Sequence, residues 1–115
     1  MLTTFFWLVI GHFLCDYVFQ SDTVAREKNA DSETTLQEHV PWFYWMTAHA
    51  MTHAAAVMLI TGNIGFALME FGTHFAIDTM KCKGWYGIHV DQALHLLCKA
   101  FYVARMLGYF RIEGV

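Results

Sequence analysis

Four pairs of metal-competent side chains lie inside strongly apolar stretches of this chain, and the two members of each pair are four positions apart. The pairs are His12/Asp16, His49/His53, His74/Asp78 and Asp91/His95. Residues at i and i+4 share one face of a helix, so each pair offers two neighbouring donors to a common centre. Such groups are costly to desolvate unless they are paired or coordinated. The pattern therefore predicts helices built around a buried polar site.

The apolar stretches that carry these pairs are long. No Asp, Glu, Lys or Arg occurs from residue 39 to residue 69, or in the first 15 residues, whereas a helix needs only about 20 apolar residues to cross a bilayer. Only 15% of the 115 residues are charged, against about 25% in an ordinary soluble domain. With one proline and no Ser/Gly-rich linker, the sequence predicts a single all-α domain, a four-helix transmembrane bundle over residues 1–115.

We place the four membrane helices at about 3–20, 41–61, 64–81 and 88–110. The hydrophilic loop at 21–39 is predicted to contain one short helix, from about Asp22 to Asn29, capped by Ser21. Pro41 suits the first turn of the second long helix, where a missing N–H costs nothing. A soluble four-helix bundle with a metal core is the structural alternative.

In an up-down bundle these helices would bring all four pairs to one end, about 5–15 Å below one interface. The first and third helices also share the pattern H-F-x-x-D, at residues 12–16 and 74–78. This repeat suggests two helical hairpins related by a pseudo-two-fold axis along the membrane normal. It predicts a symmetric site where the hairpins meet.

The donor set predicts a divalent metal centre. The candidate ligands are His12, Asp16, His49, His53, His74, Asp78, Asp91 and His95. Eight groups overfill one ion and suit two, and some of the aspartates are expected to orient imidazoles instead of binding metal. A His/carboxylate set favours zinc, with manganese or iron as alternatives. Glu70, one turn before His74, and Asp16 are the candidate catalytic bases.

Three motifs carry a resemblance to a known family. They are G-H-F-x-x-D-Y-x-x-Q-S-D-x-x-A-x-x-K at residues 11–28, T-H-F-x-x-D-x-x-K at 73–81 and D-Q-x-x-H at 91–95. Together with His49 they resemble the small bacterial and phage membrane proteins grouped as domain of unknown function 3307, over nearly the whole chain. More distantly, the paired His and Asp residues resemble LexA-regulated, membrane-bound proteins described as metal-dependent hydrolases. The first resemblance implies a membrane protein and the second implies a hydrolytic reaction.

The leading functional hypothesis is a membrane-embedded hydrolase of a lipid phosphate or ester, in which a metal ion activates water. A proton or metal-ion conduit is the main alternative, because paired His and Asp groups inside membrane helices also suit that role. A conduit needs polar residues through both halves of the membrane, and none occurs from Ala54 to Ile60. A metal-free structural or accessory membrane protein is the third possibility.

The charged residues predict an orientation and a partner. Four cations would lie on the side of the site, namely Arg26, Lys28, Lys81 and Lys83. They could hold a lipid phosphate over the site, although a solvated loop is the alternative. Because at most two arginines lie on the opposite side, the positive-inside rule places the site near the cytoplasm, in a multi-pass protein of the bacterial inner membrane.

Other functional classes are disfavoured. The formal net charge is −3 and there is no sustained basic patch, so nucleic-acid binding has no electrostatic support. Three cysteines without C-x-x-C spacing indicate neither a disulfide framework nor a zinc knuckle. His39 and His89, near predicted helix starts, are expected to be solvated.

Overall fold

A computed structural model describes residues 1–109, which form helices and turns without any strand. The long helices are α1 (Leu2–Phe13), α4 (Trp42–Thr61), α5 (Ile64–Cys82) and α6 (Ile88–Met106), and the short ones are α2 (Asp22–Glu27) and α3 (Thr35–His39). A π-helical segment, Leu14–Val18, continues α1. The all-α prediction is confirmed.

The four long helices form a closed ring of neighbours. Helix α4 packs along α5, α5 against α6, α6 against α1 and α1 against α4, and the short α2 rests on α4. The molecule measures 47 × 27 × 25 Å along its principal axes. This arrangement gives every long helix one face toward a common centre.

Local capping chemistry explains where the helices begin and end. Gly62 ends α4 with φ 65°, a left-handed conformation that glycine adopts without steric cost. The Asn63 side chain accepts a hydrogen bond from the backbone N–H of Phe66 at 3.1 Å and so caps α5. The α4–α5 hairpin therefore needs a connection of only two residues.

The helix boundaries differ from the predicted ones mainly at the end of the first helix and in the loop at residues 21–39. The predicted first helix turns π-helical at Leu14 and ends at Val18. Ser21 caps α2 through a 3.2 Å bond from the Val24 N–H, as predicted. Helix α3 was not predicted, although Thr34 and Gln37 form a reciprocal capping box at its start. Helix α6 ends at Met106, and residue 110 lies outside the described residues.

None of the helices within residues 1–109 combines enough length with enough apolar character to cross a membrane. This finding gives no support to the prediction of four transmembrane helices. The all-helical fold itself does not depend on whether the helices cross a membrane.

The apolar core is small and lies next to a much larger buried polar region. Leu8, Val57 and Tyr102 form its centre, with Ile60 and Phe66 packed against them. Leu8 is one turn before His12 on α1, so the apolar cluster directly adjoins the polar one. Many large apolar side chains point outward instead, including Leu59 (86% exposed) and Leu2 (83% exposed).

Candidate metal centre

All eight predicted ligands are buried, and they converge inside the bundle. The buried set is His12, Asp16, His49, His53, His74, Asp78, Asp91 and His95. Helix α1 with its π-helical extension, α4, α5 and α6 each contribute two of them. The spacing of four residues thus places both members of each pair on the inner face, as the helical period requires.

Asp16 lies at the centre of this group. Its Oδ1 atom is 3.0 Å from Nε2 of His53, 3.2 Å from Nε2 of His49 and 3.8 Å from Nε2 of His74. Its Oδ2 atom is 3.4 Å from Nε2 of His12. One oxygen of this carboxylate therefore faces three imidazoles, and the other oxygen faces a fourth.

The backbone around Asp16 is specialised. The N–H of Phe19 donates to the carbonyl of Leu14 at 2.8 Å, a bond across five residues that widens the helix at this point. The side-chain amide of Gln20 donates to the carbonyl of Asp16 at 3.1 Å. Single π-helical turns are rare and are often found at functional sites. The geometry indicates that the position of Asp16 is set by the backbone as well as by packing.

Three overlapping sets of side chains could hold a metal ion. Asp16 with His49, His53 and His74 forms the first, His12 with His74 and His95 the second, and Asp16 with Asp91 and His95 the third. In each set the potential ligand atoms lie within 4.8 Å of one another. The imidazole rings are packed closely, with centroids 3.6 Å apart for His53 and His74 and 4.2 Å apart for His74 and His95.

Several buried polar atoms of this cluster make no hydrogen bond within the described part of the chain. They are Nδ1 of His12, Nε2 of His49, both ring nitrogens of His74, Oδ1 of Asp91 and Nε2 of His95. A buried polar atom without a partner typically costs about 1–3 kcal/mol. Burying so many of these atoms in one place would therefore reduce the stability of the fold. Neutral imidazoles and carboxylates are, however, the ligands that divalent transition metals accept. The donor chemistry of this cluster therefore fits a metal ion.

Gln92 forms hydrogen bonds with three side chains of the centre. Its Nε2 atom donates to Oδ2 of Asp16 at 2.9 Å and to Oδ2 of Asp91 at 3.0 Å. Its Oε1 atom lies 2.9 Å from Nε2 of His12. The amide thereby fixes two carboxylates and an imidazole relative to one another.

Asp78 lies at the edge of the cluster. Its Oδ2 atom accepts a hydrogen bond from Nζ of Lys28 and is 3.4 Å from Nε2 of His49. It belongs to none of the three close sets. Lys28 follows α2, and its side chain is buried, so the loop reaches inward to the bundle here.

A second buried polar group lies behind His74. Glu70 accepts hydrogen bonds from Nζ of Lys99 at 2.5 Å and from the Tyr102 hydroxyl at 2.8 Å. Its Oε1 atom is 3.5 Å from Nδ1 of His74. Lys99 and Tyr102 were missed in the sequence, although they continue the inner face of α6 four and seven residues after His95.

Of the other predicted cations, Arg26 in the loop and Lys83 at the end of α5 are exposed, whereas Lys81 on α5 is partly buried. Arg26 donates from Nε to Oε1 of Glu27 at 2.8 Å, and Nζ of Lys83 is 4.0 Å from Oδ1 of Asp31. Glu27 is fully buried and also accepts a hydrogen bond from the Thr34 hydroxyl, which together with the Arg26 guanidinium lowers the pKa of Glu27. The loop is therefore an ordered structure with its own polar interior.

His39 and His89 are exposed, as expected for residues outside the site. The described residues also include three cysteines in thiol form, of which only Cys15 is buried. Its sulfur lies 3.7 Å from the carbonyl of Thr52. The cysteines are not part of any of the three close sets, in line with the absence of a cysteine motif.

The comparison with family models decides the family of this chain. The model described as "Protein of unknown function (DUF3307)" matches residues 4–110. The chain belongs to this family. The resemblance found in the motifs is thus confirmed, and the matched range contains every candidate ligand. Comparisons with curated proteins and with solved structures gave no match.

Proposed function

We propose that this protein binds one or two divalent transition-metal ions at the centre of its bundle and uses them to hydrolyse a lipid phosphate or ester. One observation carries the proposal: five imidazoles and two carboxylates, all buried, converge with several ligand atoms that have no hydrogen bond. Carboxylate oxygens lie 3.2 to 3.8 Å from several of these nitrogens but form no hydrogen bond with them, so hydrogen bonding compensates only part of the cost of burying these atoms.

The overlap of the sets suits two ions, and Asp16 would contribute to holding both because it belongs to two of the three sets. The side of Oδ1 faces His49, His53 and His74, while the side of Oδ2 faces His12. Asp91 and His95 complete the second side. Paired ions that share a carboxylate are a common arrangement for hydrolysis of phosphate esters. Zinc fits the donor set best, and manganese or iron also accept imidazole with carboxylate.

A bound divalent ion would supply Lewis acidity and lower the pKa of water toward about 7. The protein's own contribution is to position groups and to move protons. Asp91 has a buried oxygen without a hydrogen bond beside the centre, so we assign proton transfer to Asp91 or Asp16. Glu70, predicted as a base, is engaged by Lys99 and Tyr102, which favours a different role for it.

An anionic substrate group suits the rim of the site. Lys28 brings a buried ammonium group to Asp78 at the edge of the cluster, and Lys81 lies on the same turn of α5 as Asp78. We propose that Lys28, with Arg26, Lys81 and Lys83 nearer the surface, attracts the phosphate or carboxyl ester of a lipid head group. Binding would require the substrate to compete with Asp78 for Lys28.

The outer surface suggests where such a substrate would come from. Large apolar side chains are exposed on all the long helices, for example Phe6, Leu59, Leu68 and Leu97 at 61%, 86%, 65% and 64%. Exposed apolar surface of this extent marks an interaction with a protein or a membrane. We propose that membrane lipid covers it, in the bacterial cytoplasmic membrane, because the exposed side chains surround the bundle instead of forming one patch.

The membrane proposal is tested by fractionating cells that express the full chain. We expect the protein in the membrane pellet, resistant to carbonate at high pH and released by mild detergent. Recovery in the supernatant without detergent would overturn the proposal. The metal centre could still exist in that case, so the two parts of the proposal fail separately.

The metal proposal is tested by elemental analysis of protein purified without chelators. We expect one or two equivalents of zinc, manganese or iron in the wild type and a clear loss in Asp16→Asn, with His89→Ala as a matched histidine control outside the site. The loaded protein is then assayed on vesicles containing phospholipids and phosphorylated lipids. Absence of stoichiometric metal from the wild type would overturn the metal site and the hydrolase together.

A conduit remains the rival function, because the buried Glu70, Lys99 and Tyr102 hydroxyl continue the polar cluster beyond His74. Leu8 and Val57, in contrast, make an apolar contact beside the cluster. Proteoliposomes distinguish the two functions. Uptake of protons or metal that His49→Ala abolishes would favour the conduit over the hydrolase.

A further inference from the structure

We propose that Glu70 is a positioning residue that orients His74 for metal binding, and that Lys99 and Tyr102 hold Glu70 in place. The inference rests on the proposed metal site and assigns a role to three buried groups that the hydrolytic chemistry does not use. Glu70, Lys99 and Tyr102 are each about 1% exposed. A buried carboxylate and ammonium are kept in a fold only when each has its partners.

The contacts around Glu70 are directional. Oε1 accepts from Lys99 and lies 3.5 Å from Nδ1 of His74, while Oε2 accepts from the Tyr102 hydroxyl at 2.8 Å. Both oxygens are thereby engaged by α6, and one of them also faces the ring of His74. The glutamate therefore has a fixed orientation relative to that ring.

This orientation selects one tautomer of His74. An ionised carboxylate only accepts hydrogen bonds, so the ring nitrogen that faces it is the one that carries the proton. The lone pair then lies on Nε2, which is the atom that points toward Oδ1 of Asp16 at 3.8 Å. A carboxylate behind a metal-binding imidazole fixes the ring and strengthens it as a ligand.

His74 is the residue for which such control matters most. It belongs to two of the three close sets, and its ring stacks between those of His53 and His95. Both of its nitrogens lack a hydrogen bond. Because Glu70 and His74 lie one turn apart on α5, a small rotation of their side chains would bring Nδ1 of His74 into hydrogen-bond distance of Oε1 of Glu70. A structural ion pair between α5 and α6 is the competing explanation of the same contacts.

Metal titration separates these explanations. The purified full-length protein is stripped with a chelator and titrated with zinc against a chromophoric competitor, and with cobalt to record its visible spectrum. The variants are Glu70→Gln, Tyr102→Phe and the double variant Glu70→Gln/Lys99→Met, which removes both charges. Ile60→Ala, at the edge of the apolar cluster, controls for a general loosening of the bundle.

A positioning role predicts that zinc affinity falls about 10- to 100-fold in Glu70→Gln. The double variant should regain thermal stability but not affinity, since the buried charges are gone and His74 is still unsupported. Tyr102→Phe should lose less affinity than Glu70→Gln, and Ile60→Ala should lose stability only. The cobalt spectrum should change in both variants that lack Glu70.

Wild-type affinity in the double variant, with an unchanged cobalt spectrum, would overturn the inference and leave a structural ion pair. Wild-type protein that binds neither zinc nor cobalt would instead overturn the proposed function on which the inference depends. If Glu70→Gln alone does not fold, the double variant and Tyr102→Phe still decide between the two explanations.

Discussion

The same five-residue pattern, H-F-x-x-D, occurs in two places and has two different environments. In the first copy, Asp16 lies within 3.8 Å of three imidazoles through one oxygen. In the second copy, Asp78 pairs with Lys28, and among the imidazoles of residues 1–109 it approaches only that of His49. The predicted symmetric site is therefore not realised, because the two aspartates have different neighbours.

Two local differences explain the contrast. Asp16 lies in a π-helical segment, whereas Asp78 lies in the regular helix α5. The loop after the first copy carries Lys28 back into the bundle, where it meets Asp78. A repeated pattern thus fixed which face of each helix points inward, and the packing around it determined what each carboxylate binds.

The largest expected effect concerns the Asp78 side. Lys28→Met leaves a buried carboxylate without its cation, and we expect a loss of about 3–5 kcal/mol in the free energy of unfolding. Lys83→Met is the control, because Lys83 is partly exposed and 4.0 Å from Asp31, so its loss should be within about 0.5 kcal/mol. Denaturant unfolding in detergent measures both. A loss for Lys28→Met as small as that for Lys83→Met would contradict the prediction, because it would show that Asp78 does not need Lys28 as its partner.

The second prediction separates the two aspartates by metal affinity. Asp16→Asn should weaken zinc binding by about 100-fold or more, because Asp16 belongs to two of the three close sets. Loss of a residue that only supports a metal ligand already weakens metal binding by about 10- to 100-fold. Asp78→Asn should weaken it by less than about tenfold, because Asp78 belongs to none of the close sets. Competitive titration of both variants gives the two affinities. Similar losses of zinc affinity would mean that Asp78 contributes as much to metal binding as Asp16 does.

The third prediction tests whether the Asp16 side is a metal centre or a hydrogen-bonded core. With metal at 100 times its dissociation constant, binding adds about 2.7 kcal/mol to stability. His74→Ala should lose most of this, while chelated wild type and chelated His74→Ala should agree within about 1 kcal/mol. Melting curves with and without chelator provide the comparison. A wild-type curve that chelator does not move, beside a destabilised mutant, would indicate structural packing.

The smallest expected effect is confined to the loop that carries Lys28. Thr34 caps α3 and donates to Glu27, so Thr34→Ala should cost about 1 kcal/mol. The neighbouring Thr35→Ala serves as the control because it removes no cap. Amide hydrogen exchange of residues 34–39 measures the local change, and zinc affinity should stay at the wild-type value. A drop in affinity would show that the loop supports the Asp16 side as well.

Much of the site was readable from the sequence because helical periodicity is a local property. A spacing of four residues puts two side chains on one face, and apolar surroundings make that face the inner one. His12, His49, His74 and His95 were therefore identified with their partners, and all are buried together. Capping residues such as Ser21 located α2 for the same local reason.

The sequence by itself determined the all-helical bundle, the inward faces and the family, since each depends on residues near one another in the chain. Only the tertiary structure decided that Asp16 is central and Asp78 peripheral, that Lys28 folds back to the bundle, and that Glu70 is engaged by Lys99 and Tyr102. These pairings join residues 29 to 50 positions apart, so their free energy depends on packing that no local pattern encodes.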